Sequence, residues 1–261
     1  MVLNYKKVFL PSLELFYLTD FRICPVGDSA ITVEFGKSID PAVNAMVHAL
    51  RSFLDGEQVL GISDMIPTFC SLLISYDPGI IRYEELCGVI RRTLENGLQG
   101  MSSLSRTYLI PVCYGGDYGE DLPYVAEHAG LSEKEVIRRH SAPDYLIYML
   151  GFLPGFSYLG GIDPALETPR LSQPRQRIPA GSVGIGGNQT GLYPLDSPGG
   201  WRLIGRSPVR PYDLRREEPI LYKAGDRIRF IPIDEKKYRK IETAVKAGTY
   251  ECSYLEGGRK R

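Results

Sequence analysis

Histidine is scarce in this sequence. Its three copies, His48, His128 and His140, all fall on segments patterned as helices and away from the richest run of glycine. The five cysteines, Cys24, Cys70, Cys87, Cys113 and Cys252, contain no C-x-x-C pair. Zinc sites need closely spaced sulfur and imidazole ligands, so this spacing argues against a metal enzyme, and the placing of histidine argues against a Ser-His hydrolase. An odd, scattered set of thiols reads as reduced and buried, in a cytosolic protein. Charge of one sign is also lacking: 31 Lys and Arg balance 31 Asp and Glu. A nucleic-acid binder presents a basic face to phosphates, and zero net charge argues against one. No apolar run approaches the ~18 residues a membrane-spanning helix needs. In the first residues, Lys6 and Lys7 precede an apolar stretch, but Pro11 and Glu14 interrupt it and no small-residue cleavage site follows. Residues 1–20 therefore read as an N-terminal extension outside the fold.

The chain has 261 residues, 43% of them hydrophobic, enough for one large domain or two small ones with real cores. Phe21–Cys24 and Ala30–Phe35 read as strands. In the second, Ile31, Val33 and Phe35 alternate with polar side chains. A helix is expected from Asp40, with Asp40 as cap, Pro41 in the first turn, and Val43, Met46, Val47, Leu50 and Leu54 as its apolar stripe. Met65–Tyr76 reads as one strand and residues 83–97 as a second helix. The polar, glycine-bearing segment 97–105 marks the domain boundary, giving a small α+β unit over 21–104 and a second domain over 105–261. In the second domain a strand is expected at Thr107–Cys113 and helices at 122–129 and 133–140. Ser132 and Glu135 form a capping box, and Ser141 with Pro143 begins a further helix. From Gly151 to Asp213 glycine and proline leave room only for short strands and tight turns, which points to a barrel or sandwich. A strand over 226–232, a helix over 234–246 and an unstructured tail over 257–261 complete the reading.

Familiar phosphate and nucleophile motifs are present only in fragments. Gly36-Lys37-Ser38 ends like a phosphate-binding loop, but Ile31 stands where its first glycine belongs. Leu159 breaks a nucleophile elbow begun at Gly155-Phe156-Ser157, and Gln189 breaks a dinucleotide fingerprint begun at Gly184-Ile185-Gly186. The informative stretch is Arg175–Arg206. Arg175, Arg177 and Arg206 supply charge suited to carboxylate or phosphate. Gly184, Gly186 and Gly187 suit a backbone nest for an anion. Ser182, Gln189 and Thr190 suit hydrogen bonding to an amide or phosphate, and Trp201 suits the wall of a pocket. Asp196 is the candidate general base. The bland alternative is that the glycines mark turns, the arginines sit in structural ion pairs and Trp201 is core.

Several segments together resemble one family: Gly27-Asp28-Ser29-Ala30, residues 151–161 (GFLPGFSYLGG), residues 179–185 (PAGSVGI), residues 189–194 (QTGLYP), residues 197–201 (SPGGW) and residues 204–208 (IGRSP). That family contains the B subunit of bacterial 5-oxoprolinase, KipI-type inhibitors of a sporulation histidine kinase, and proteins labelled allophanate hydrolase subunit 1, and it is related to urea carboxylase carboxyltransferase domains. The likeness covers residues 21–235. It implies an α+β protein with a small N-terminal α/β sandwich and a cyclophilin-like β-barrel C-terminal domain. It also implies a C subunit with a related barrel, an A subunit, and ATP with Mg2+, on this chain or a partner, used in the cytoplasm to open the lactam 5-oxo-L-proline to L-glutamate. Arg177, Arg206 and Asp196 would act in that reaction. Arg175, Ser182, Gly184, Gly186, Gly187, Gln189, Thr190 and Trp201 would bind substrate or nucleotide. A kinase inhibitor and a urea-related amidolyase subunit are the alternative readings. Glu120 departs from the family pattern, which has Pro at that helix start.

Overall fold

The structure is a computed structural model. It describes residues 21–96 and 105–256, together with the backbone of three short strands nearer the ends, Val8–Leu10, Leu13–Phe16 and Arg259–Lys260. The chain divides into two compact units, Met1–Ser103 and Leu104–Arg261.

In the first unit, β1 (Val8–Leu10) and β2 (Leu13–Phe16) pair antiparallel, so part of the expected extension forms strands while the rest of residues 1–20 lies outside the described residues. The elements β3 (Arg22–Val26), β4 (Ala30–Glu34), α1 (Pro41–Gly56), β5 (Ile62–Pro67), β6 (Ser71–Tyr76) and α2 (Tyr83–Asn96) follow. The strands form an antiparallel sheet in the order β3-β4-β6-β5. Asp40 caps α1, accepting from the amides of Ala42 and Val43 at 2.7 and 3.3 Å. Val47, Leu50 and Leu54 of α1 and Leu86, Ile90 and Leu94 of α2 pack with Ile31, Val33, Leu72 and Ile74 of the sheet. Each such side chain contributes roughly 1.5–3 kcal/mol by burial. The expected single strand Met65–Tyr76 is instead a hairpin. Pro67 has no amide proton with which to continue the ladder. The Thr68 hydroxyl accepts from the Ser71 amide at 3.0 Å and so closes a turn within an apolar stretch.

The second unit contains β7 (Arg106–Tyr114), α3 (Leu122–Ala129), α4 (Glu133–Ser141), β8 (Tyr145–Leu150), β9 (Ser157–Gly160), β10 (Arg175–Ile178), β11 (Ser182–Gly186), β12 (Gln189–Leu192), β13 (Ser197–Gly199), β14 (Arg202–Arg206), β15 (Arg227–Pro232), α5 (Glu235–Lys246), β16 (Tyr254–Glu256) and β17 (Arg259–Lys260). Seven strands close a barrel in the order β14-β11-β12-β9-β8-β15-β7, and β7 pairs back onto β14 through Tyr114↔Gly205 and Cys113↔Arg206. Only the β7–β15 pair is parallel among these seven. Ile110, Val112, Ile147, Leu159, Val183, Ile185, Leu192, Ile204, Ile228 and Phe230 supply the barrel core. The protein is thus α+β, with a closed barrel, a separate sheet and five helices among the described residues.

Three local expectations fail in this unit. Ser141 and Pro143 begin no helix; the Ser141 hydroxyl donates back to the Ile137 carbonyl at 2.7 Å, α4 ends there, and strand β8 follows. The capping box is half made. Ser132 Oγ accepts from the Glu135 amide at 3.2 Å, but the Glu135 carboxylate turns to Arg138 and Arg139. In the tail, β17 pairs with β16, and residues 257, 258 and 261 lie outside the described residues.

Candidate functional site

The glycine-rich block folds into the closing strands of the barrel. β11 and β12 form a hairpin through the two-residue turn Gly187-Asn188. Gly187 takes φ 66°, a conformation that glycine adopts without strain. The sequence predicts an anion nest here, and the geometry differs. Gly184 and Gly186 are extended residues of strand β11; Gly184 pairs on both edges, with β12 and β14, and Gly186 pairs with Gln189 of β12. The Gly187 amide donates to the Thr168 carbonyl at 2.9 Å. A nest needs consecutive amides turned toward one point, and a doubly paired strand has none to offer.

The glycines make room for an aromatic ring instead. A Cβ on Gly186 would lie 2.4 Å from the Trp201 indole, and one on Gly191 would lie 2.9 Å from it. Trp201 is buried with Phe156, Ile178, Tyr193 and Leu203. It is therefore a packing residue, not the pocket wall expected from sequence, because the glycines let the ring lie against the backbone of the strands.

The three arginines are held differently. Arg175 on β10 meets Glu120 and Asp121, both at 3.0 Å, and reaches the Trp201 carbonyl at 3.4 Å. Arg177, two residues on, is largely exposed and pairs with Asp196 at 2.7 Å. The other oxygen of Asp196 accepts from the Ala180 amide at 2.8 Å. That amide, and then Arg177, hold the Asp196 carboxyl below the usual carboxylate range. A base with a lowered pKa attracts protons weakly near neutrality, so the environment does not suit Asp196 to general-base work. Arg206, at the end of β14, reaches the Asp117 carbonyl at 3.5 Å, lies 5.9 Å from the Tyr118 ring centroid and makes no ion pair among the described residues. Its Nε is buried without a partner, as is the hydroxyl of Ser182.

Two participants escape sequence reading. Asp121 is a carboxylate hub. Besides Arg175 it accepts from the Leu203 amide at 2.7 Å and lies 3.7 Å from Arg202, whose guanidinium covers the Tyr124 ring at 3.7 Å. His140, distant from the glycine-rich block in sequence, touches it in space. Its Nε2 lies 2.8 Å from Thr190 Oγ1, and its Nδ1 lies 2.8 Å from the Tyr114 hydroxyl. Thr190 donates its own proton to the Gly184 carbonyl at 3.0 Å. Its oxygen must then accept from His140, which fixes the proton on Nε2 and makes Tyr114 the donor to Nδ1. Burial pushes the imidazole down to about 3, so it is neutral near pH 7. Gln189 is also buried, on β12 opposite Gly186.

A separate cleft of about 330 Å³ lies at the β8–β9 turn. Leu150, Gly151, Phe152, Leu153, Pro154, Gly155 and Ile220 line it, and none of the expected site residues does. All five cysteines are free, and burial raises the thiols of Cys70, Cys113 and Cys252. No group of three or more His, Cys, Asp or Glu suited to a metal ion occurs among the described residues. No helix among them is long and apolar enough to cross a membrane.

The model of the family "Carboxyltransferase domain, subdomain C and D" matches residues 21–222. The chain belongs to this family. It is 41% identical to the B subunit of 5-oxoprolinase from Bacillus subtilis, over 84% of this chain and 95% of that protein. Crystalline TTHA0988 is 38% identical with a TM-score of 0.70, over 78% of this chain and 40% of that longer one. Urea amidolyase of K. lactis, 20% identical, shares the fold with a TM-score of 0.76 over 91% of this chain and 16% of its own.

Proposed function

We propose that this chain is the B subunit of an ATP-dependent 5-oxoprolinase, which opens 5-oxo-L-proline to L-glutamate in the cytoplasm together with A and C subunits. The observation that carries this reading is the 41% identity to a 5-oxoprolinase B subunit, extending over 95% of that protein. The two compact units are read as two domains, 21–104 and 105–261, the second a cyclophilin-like barrel.

A five-membered lactam is a stabilised amide, and opening it near neutrality requires activation of its carbonyl, which ATP supplies by phosphoryl transfer. Such chemistry asks for positioning and charge neutralisation more than for a reactive side chain. The edge of the barrel around Ser182, Asp196 and Arg206 has that character. Arg206 is the least engaged of the three arginines, while Arg175 and Arg177 are committed to carboxylates. Those pairs support the view that Arg175 shapes the site and Arg177 borders it. Gln189 and Thr190 line the adjoining hairpin, with Thr190 already engaged by His140.

The glycine-rich strand β11 is a poor fit to ATP. The block that would have cradled its phosphates is an extended, doubly paired strand. We therefore assign ATP and its Mg2+ to a partner subunit. The test is glutamate release from 5-oxoproline with ATP, by this chain alone and then with its A and C subunits. Activity only in the full assembly is expected. No activity from a verified assembly would overturn the assignment.

A further inference from the structure

We infer that Ser182 and Arg206 together form an oxyanion site on the outer face of the barrel, with Ser182 Oγ–H and Arg206 Nε–H as its donors. Among the described residues, buried side-chain polar atoms without a hydrogen-bond partner include Ser182 Oγ, Ser197 Oγ, Arg206 Nε and Arg216 Nε. Folded proteins leave few such atoms, and each one calls for a cause. Three of these four belong to the short stretch between Arg175 and Arg206.

Register brings two of them together. Ser182 and Arg206 stand directly opposite each other in the β11–β14 ladder, so their side chains leave the strands on the same face. Val183, the next residue, belongs to the barrel core, and alternation therefore sends Ser182 outward. Ser182 is 0% exposed. No hydrogen bond joins its hydroxyl to Arg206 Nε.

Chemistry then selects the occupant. A guanidinium N–H can only donate, and a hydroxyl can donate as well. One body with several lone pairs satisfies both, and a negative charge on it is favoured by a guanidinium that makes no ion pair among the described residues. Its acidic neighbour is Asp196, whose carboxylate feels Arg206 but has its oxygens engaged by Ala180 and Arg177. A carboxylate or phosphate oxygen admitted by a shift of the half-buried Arg206 side chain would meet two unsatisfied donors. The ligand's identity rests on the lactam-opening reading: 5-oxoproline carries a carboxylate, and ATP-driven opening handles phosphate. Oxyanion chemistry is common to both.

The experiment follows the Arg206 Nε–H signal by NMR in the full chain with ¹⁵N-labelled arginine, the signal being assigned with Arg206→Lys. Inorganic phosphate, 5-oxoproline and the neutral lactam 2-pyrrolidinone are the probes. A saturable shift is expected with phosphate or 5-oxoproline and none with 2-pyrrolidinone; whichever anion saturates at lower concentration identifies the source. Ser182→Ala should weaken that binding about tenfold by removing one donor to a charged group. It should also raise the melting temperature of the empty chain by roughly 2–4 °C, because it deletes a buried hydroxyl without a partner. An Arg206 signal that no probe moves would overturn the site. So would a Ser182→Ala chain with unchanged anion affinity and a lower melting temperature, which would mean an ordered water only. The subunit assignment stands or falls separately, on glutamate release by the assembled enzyme.

Discussion

His140 Nε2 lies 2.8 Å from Thr190 Oγ1, and this one bond ties helix α4 to the glycine-rich hairpin of the barrel. The imidazole stacks on Phe230 at 4.8 Å and stays neutral in the fold down to about pH 3, whereas an unperturbed histidine titrates near 6.5. Between those values the unfolded chain binds a proton that the folded chain refuses. The stabilising contribution is therefore complete above pH 6.5 and falls as pH drops through the window, by about 1.4 kcal/mol per pH unit. Urea denaturation between pH 7 and 4 should show a shallower pH dependence for His140→Asn than for the parent chain, even if the variant is less stable throughout.

Asp121 is nearly buried and serves Arg175, Arg202 and the Leu203 amide at once. Asp121→Ala should destabilise the chain by about 1–3 kcal/mol, because the buried Leu203 amide loses its acceptor, while Arg175 keeps Glu120 and Arg202 keeps the Pro169 carbonyl. Asp121→Asn retains an acceptor for the amide and should cost less. Denaturation midpoints of the two variants check the order.

Gly186→Ala should strike the Trp201 indole, since its Cβ would lie 2.4 Å from the ring. Overpacking of that kind costs about 1–3 kcal/mol. Trp201 is the sole tryptophan in the chain, so displacement of its ring should appear directly as a red shift of fluorescence at unchanged secondary structure.

Arg177 and Arg206 should separate in the assembled enzyme. Arg177 makes an exposed pair with Asp196, worth little to stability, and Arg177→Ala should lower glutamate release at most about fivefold. On the proposed oxyanion role, Arg206→Ala removes a charged donor to the bound anion and should lower it about 10²–10³-fold. Equal losses from both substitutions would argue that the two arginines act as one clamp.

Much of the architecture was legible in residue order. Asp40 and Ser132 announce helix starts because a short polar side chain can satisfy orphan amides two or three residues ahead, and each does so here; Asp234 caps α5 in the same way, though only its segment was legible as helix. Strands β4 and β7 and helices α1 to α5 follow from apolar spacing, since burial on one face repeats with the period of the element. The hairpin within Met65–Tyr76 was hidden because apolar residues fill both strands and a threonine side chain makes the turn.

The sequence alone determined the family, the α+β class and the stretch Arg175–Arg206 as the chemically unusual part of the chain. Only the tertiary structure decided what that stretch does. Of the glycines that read as an anion nest, Gly186 is instead a seat for Trp201, together with Gly191, because strand pairing uses its amide and the missing Cβ admits the ring. Arginines that read as equivalents are sorted by the carboxylates that folding brings to them, Glu120 and Asp121 to Arg175 and Asp196 to Arg177, with none bonded to Arg206 among the described residues. A histidine 50 residues from Thr190 in the chain becomes its hydrogen-bond partner. Helix and strand periods are set by near neighbours along the chain, whereas pairing between distant charges and donors exists only once the barrel has closed.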